Sequence, residues 1–142
     1  MRVSQLLGAK GFDVITIEPS AVVAELVALL KAHNLGAVVV SKDALHVHGI
    51  VTERDVVRHL CEGTDFLTGP VSAIMTTDVH TCGAEDSVDS LMTTMTNRRI
   101  RHLPVVDDGG ALRGIVSIGD VVKSRITQLE FERDQLEGYV SN

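Results

Sequence analysis

Apolar positions along the chain follow two spacings, and the whole succession is gone through twice. Val3, Leu6 and Leu7 mark a short opening turn over residues 3–7, and residues 14–17 read as a brief strand. Val23, Leu26 and Leu30 then fall at intervals of three and four. They form one face of a helix over about 21–33, entered after Pro19-Ser20. Runs rich in β-branched residues predict strands over 37–41 and 47–51. The second passage has a turn over 71–75, a strand over 79–82 and a helix over about 88–98. Val88, Leu91 and Met95 lie on that helix's face, and Glu85 and Asp86 suit its N-terminus. Strands over 103–106 and 112–116 follow, joined by the hairpin turn Asp107-Asp108-Gly109-Gly110.

The two passages superpose at a nearly constant offset. Leu35 matches Ile100, Val38 matches Leu103 and Val40 matches Val105, each 65 residues on. The opening turns match at 68 instead, so the first copy carries three extra residues between Leu7 and Val14, where Gly8, Lys10 and Gly11 stand. The predicted fold is mixed α/β (α+β): two βαββα repeats facing each other across a pseudo-twofold axis. Repeat one covers residues 3–60, a linker with Gly63, Gly69 and Pro70 covers 61–70, and repeat two covers 71–126. A helical extension takes residues 127–142. There Val122, Ile126, Leu129, Arg133, Leu136 and Val140 make a narrow seam that either packs back on its own domain or meets a partner copy.

Each repeat ends in the same strand-to-helix motif. The first reads Gly49-Ile50-Val51-Thr52-Glu53-Arg54-Asp55-Val56-Val57, the second Gly114-Ile115-Val116-Ser117-Ile118-Gly119-Asp120-Val121-Val122. Thr52 and Ser117 are good N-cap residues, and Asp55 and Asp120, three positions later, can close capping boxes. The same geometry suits a ligand. A helix N-terminus offers free N–H groups to an anion, and an adjacent carboxylate can accept the two hydroxyls of a ribose.

Composition narrows the function classes. Hydrophobic residues make up 44% and aromatics 3%, so the core is built from aliphatic side chains. The formal net charge of −6 argues against a general nucleic-acid backbone binder but leaves room for a local anion site. No run reaches membrane-spanning length, no basic-then-apolar leader opens the chain, and Cys61 and Cys82 suit a reduced cytoplasmic protein.

In this combination the motifs and the βαββα order, including Ile100-Arg101-His102-Leu103-Pro104-Val105-Val106, resemble a tandem CBS-domain pair, or Bateman module, after cystathionine β-synthase. The resemblance covers about residues 3–126. It implies two clefts between the repeats that bind adenosine compounds: AMP first, then NAD(H), with ATP, ADP or S-adenosylmethionine also in range. It further implies a regulatory role rather than an enzyme, a flat homodimer of pairs, and a separate effector protein as target. Carried over, the first cleft uses Thr52, Asp55 on the ribose, Arg54 toward phosphate and Val79 against adenine. The second uses Ile115, Ser117 and Asp120, with Val14 and the Lys10-Gly11 stretch opposite and Arg101 and His102 near the phosphates. The repeats differ where ligands sit, since Gly36-Ala37 answers to Arg101-His102 and Glu53-Arg54 to Ile118-Gly119. The clefts are therefore not equivalent.

Arg98, Arg99 and Arg101 form the densest basic cluster, and cations at a helix C-terminus also oppose its dipole. Arg101 and His102 then enter a strand, where alternation sends them to opposite faces and lets only one point into a given cleft. Two readings from other classes stand beside the sensor. One is a scaffold or dimerisation protein with vestigial clefts. The other is a metal-binding stress protein using His46 and His48, on one side of a strand, with His80, Cys61 and Cys82 converging. The Gly8-Ala9-Lys10-Gly11 stretch lacks P-loop spacing, and no nucleophile elbow is present.

Overall fold

The computed structural model describes residues 1–141; Asn142, the end of the expected extension, lies outside the described residues. In chain order the elements are α1 (Val3–Lys10), β1 (Thr16–Ile17), α2 (Val23–His33), β2 (Ala37–Val40), β3 (Gly49–Thr52) and α3 (Glu53–Leu60). Two 3₁₀ turns follow, Asp65–Thr68 and Val71–Ala73, then α4 (Val88–Arg98), β4 (His102–Val106), β5 (Leu112–Ser117) and α5 (Ile118–Ser141).

The first half forms a three-stranded sheet in the order β1-β2-β3, with β1 parallel and β3 antiparallel to β2. All four residues of β2 are buried, as befits a central strand. The second half has only the antiparallel pair β4-β5. The strand expected over 79–82 shrinks to one parallel bridge, Cys82 to Val105, which stands in the register that Ile17 takes to Val40 in the first half. The hairpin turn is as expected: Gly110, at φ +83°, donates to the Asp107 carbonyl at 2.9 Å.

The first opening segment departs from its expected turn, while the second keeps one as Val71–Ala73. Residues 3–10 form a full helix, α1, and it does not pack on the half that follows it. Val3, Leu6 and Leu7 are buried with Val88, Leu91, Leu103, Val105 and Val116 of the second half. Conversely, Val71 and Ile74 are buried with Val23, Leu26, Val38 and Val51 of the first. Each half thus lends its opening segment to the other's core. Backbone bonds fix the exchange: Val3 N–H to the Asp86 carbonyl at 2.9 Å, and Val71 N–H to the Ala21 carbonyl at 2.8 Å.

The two motif glycines make room for these exchanged segments. A Cβ on Gly114 would stand 3.0 Å from both Leu7 Cδ atoms, and one on Gly49 would stand 2.7 Å from Met75 Sδ. Glycine is needed there because another chain segment lies against the strand. At the other end, α5 runs on beyond the domain. Val121 is fully buried at its start, but Leu136 is 66% and Val140 82% exposed. The seam does not fold back on this chain.

Candidate functional site

Strands β3 and β5 run directly into α3 and α5, and both motif aspartates do what the spacing predicts. Thr52 N–H donates to Asp55 Oδ2 at 2.9 Å, and Asp55 N–H donates to Thr52 Oγ1 at 3.2 Å. In the second motif Ser117 N–H donates to Asp120 Oδ2 at 2.9 Å, and Asp120 N–H donates to Ser117 Oγ at 3.1 Å. The boxes are near-copies. What surrounds them is not.

Asp55 faces a cavity of about 440 Å³ between the halves, a volume in the usual range for small-molecule sites. Thr52, Arg54, Asp55, Val79, Arg101 and His102 all line it, as do Ile50 and Thr76. Five of the chain's nine arginines converge there: Arg54, Arg58, Arg98, Arg99 and Arg101. Among the described residues, none of the five is salt-bridged to a carboxylate. A protein of net charge −6 has gathered more than half of its arginines around one hollow at the N-terminus of α3. Such a hollow attracts anions. Asp55 uses Oδ2 for its box, and Oδ1 has no partner among the described residues. It points to no ammonium or guanidinium and is left to accept from a ligand.

Arg101 and His102, expected at the second cleft, therefore line the first. The alternation argument also fails for them, because β4 starts only at His102 and Arg101 precedes the strand. His102 stands where the halves meet. Burial pushes its pKa down, as does the charge of Lys10, while Glu53 and Asp120 pull the other way. It is thus a neutral hydrogen-bonding group at pH 7, and the positive charge of the cavity belongs to the arginines. Arg58 and His80 were missed. Arg58 had a signal: it lies four residues after Arg54, on the same helical face.

Arg99 carries a cost that its counterpart avoids. It caps α4 in the left-handed conformation at φ 55°, ψ 40°, whereas Asn34 holds the equivalent place after α2 at φ 53°, ψ 50°. Asparagine tolerates this region; arginine does so less readily, in a conformation that costs L-residues about 1–2 kcal/mol. Arg99→Asn should therefore raise stability by about 1 kcal/mol while weakening binding of a polyphosphate in the cavity. Thermal melts and titrations of the one variant check both signs.

At the second motif, Asp120 is met by Lys10. Its ammonium donates to Asp120 Oδ2 at 2.5 Å and to the Ile115 carbonyl at 2.7 Å. Burial alone would raise the Asp120 pKa, but the Lys10 hydrogen bond and the Ser117 N–H outweigh it and hold the carboxyl below its usual value. Lys10, Ile115, Ser117 and Asp120 are thus brought together as expected. Gly11 caps α1 at φ +112° just behind Lys10, and Val14 is half-buried ahead of β1. Among the described residues, no side-chain hydrogen bond ties either of them to Asp120.

The metal reading finds no support in the geometry. Among the described residues, no group of three or more His, Cys, Asp or Glu side chains is placed to hold an ion. His46 is turned to Asp43, its Nδ1 2.5 Å from Oδ2. Cys82 is buried, and that burial, helped by the Asp86 charge, pushes its thiol up to about 12, far from a ligating thiolate. Among the described residues, no helix is long and apolar enough to cross a membrane.

Comparison with known proteins agrees with this architecture. The model of the CBS domain matches residues 9–62 and again 71–126. A solved CBS-domain-containing protein from Agrobacterium tumefaciens is 44% identical with a TM-score of 0.84, over 88% of this chain and 99% of that one. A CBS domain protein from Pyrobaculum aerophilum, solved in complex with AMP, is 27% identical with a TM-score of 0.80, over 94% and 99% of the two chains. A CBS domain pair in complex with 5′-methylthioadenosine and S-adenosyl-L-methionine is 25% identical with a TM-score of 0.78, over 90% and 98%. With both halves matched and the pairwise architecture shared, this chain belongs to the CBS-domain family and carries a tandem pair of its domains.

Proposed function

We propose that this CBS pair is a regulatory module, not a catalyst, and that it binds one adenine nucleotide in the cavity faced by Asp55. The observation that carries the reading is the convergence of five unpaired arginines with a carboxylate whose Oδ1 is uncommitted. The carboxylate accepts the ribose hydroxyls, the Arg54 N–H of α3 and the arginines take the phosphates, and Ile50 and Val79 supply apolar surface for the base. That two solved relatives hold AMP and S-adenosylmethionine or methylthioadenosine supports an adenosine ligand.

The resemblance alone put AMP first. The arginines favour more negative charge than one phosphate brings, so affinity rises from AMP through ADP to ATP. Binding shifts the population of arrangements of the two halves, provided one of them holds the nucleotide better. The effect is passed to a second copy or an effector protein through the exposed seam of α5. The scaffold reading, by contrast, requires no ligand.

A thermal-shift series tests this. ATP, ADP and AMP should raise the melting temperature in that order, with GMP inert, because a ligand of the folded state stabilises by mass action. S-adenosylmethionine and NAD(H) complete the series. No shift with any adenine compound at millimolar concentration returns the protein to the scaffold reading.

A further inference from the structure

Lys10 occupies the second cleft at the place where a ligand would meet Asp120. Its ammonium bonds the motif carboxylate and the carbonyl of Ile115 in β5. The first cleft handles the equivalent carbonyl differently. Ile50 and Thr76 exchange two backbone hydrogen bonds of 2.9 Å, so an extended chain passes the strand edge and leaves Asp55 uncovered. The acidic Asp78 follows in that lining and cannot pair with a carboxylate.

The difference traces to the three extra residues of the first repeat. They let the opening segment run as the eight-residue helix α1, where its counterpart is the three-residue turn Val71–Ala73. Lys10 is the last residue of that added length. It is not on a loose arm: Leu6 and Leu7 are 5% and 1% exposed in the core of the second half, and Gly11 N–H closes the helix on the Leu7 carbonyl at 2.7 Å. The pair itself is partly sheltered, its side chains 34% and 23% exposed. A ribose entering this cleft would have to displace two hydrogen bonds and a charge held in place by a docked helix.

We propose that Lys10 is a built-in occupant of the second cleft, an ammonium that closes the Asp120 site and holds this pair to one nucleotide per chain. The inference rests on the reading of the first cleft as a nucleotide site, and the test separates the two. Stoichiometry is read by calorimetric titration with ATP on the full chain, with folding checked by circular dichroism. Wild type and Lys10→Arg bind one ATP per chain. Lys10→Met and Lys10→Gln, either of which serves should the other unfold α1, bind two, and Lys10→Met combined with Asp120→Ala returns to one.

Two ATP per wild-type chain, or one per chain in both uncharged variants, would overturn the inference. A wild type that binds two and a Lys10→Met that binds one would make Lys10 a ligand contact instead. If wild type binds none, the reading of the first cleft fails. The uncharged variants then decide alone: one ATP per chain supports the closed second site, and none overturns it.

Discussion

Asp55→Ala lowers the affinity for ATP by about 100-fold or more, while Asp120→Ala leaves it nearly unchanged. The two aspartates occupy equivalent places and cap their helices with near-identical geometry. Each substitution removes a cap and destabilises the fold by about 1 kcal/mol. Only Asp55 faces an open, cationic cavity. Two hydrogen bonds from ribose hydroxyls to a charged acceptor contribute roughly 1.5–3 kcal/mol each, and losing both gives the stated factor. Asp120 is already committed to Lys10. Parallel titrations of the two variants check the asymmetry, and equal losses in both would place the nucleotide elsewhere.

Leu7→Ala destabilises the protein by about 3 kcal/mol, the middle of the range for a buried leucine truncated to alanine. Leu7 is 1% exposed, and its methyl carbons lie where Gly114 has no side chain, so a void opens directly against β5. The distinctive part of the expectation is where the loss falls. Leu7 belongs to the first copy in sequence and to the second half in packing. Native-state hydrogen exchange of the variant should lose protection in β4, β5 and α4 before β2 and α2. Urea denaturation gives the magnitude. Protection lost first in β2 would contradict the exchange of opening segments.

Much of this fold was legible because it is repeated. One β-branched run or one capping box says little, but two sets 65 residues apart fixed the strand pairs, the helices α2 and α4 and both Asp boxes. Two kinds of feature were not legible. Local spacing does not say which half a segment docks on. Val3, Leu6 and Leu7 look apolar wherever they pack, so α1 read as a turn of its own repeat although it completes the other core. Boundaries were the second. Arg101 was assigned to a strand that begins one residue later, and that single position decides whether it and His102 share a cavity.

At the site, Thr52, Arg54, Asp55 and Val79 were placed together by resemblance and stand together in the structure. The arginine cluster was visible as a run at 98–101, but its opposite wall, Arg54 and Arg58, comes from α3, in the other repeat. Only the pseudo-twofold packing brings the two walls face to face. Lys10 was singled out with the correct carboxylate, Asp120. Spacing could not show that the ammonium already sits on it, because that depends on α1 running one turn further than its counterpart.

The central claim is that one cleft of this pair takes a nucleotide and the other is closed. Backbone amide NMR on the isotopically labelled protein, titrated with ATP, tests it residue by residue. The account predicts shifts at Thr52 to Arg58, at Val79 and His80, and from Arg98 to His102, with Ser117 to Asp120 unmoved in slow or fast exchange alike. Shifts centred on Ser117 and Asp120, with the Asp55 side silent, would contradict it.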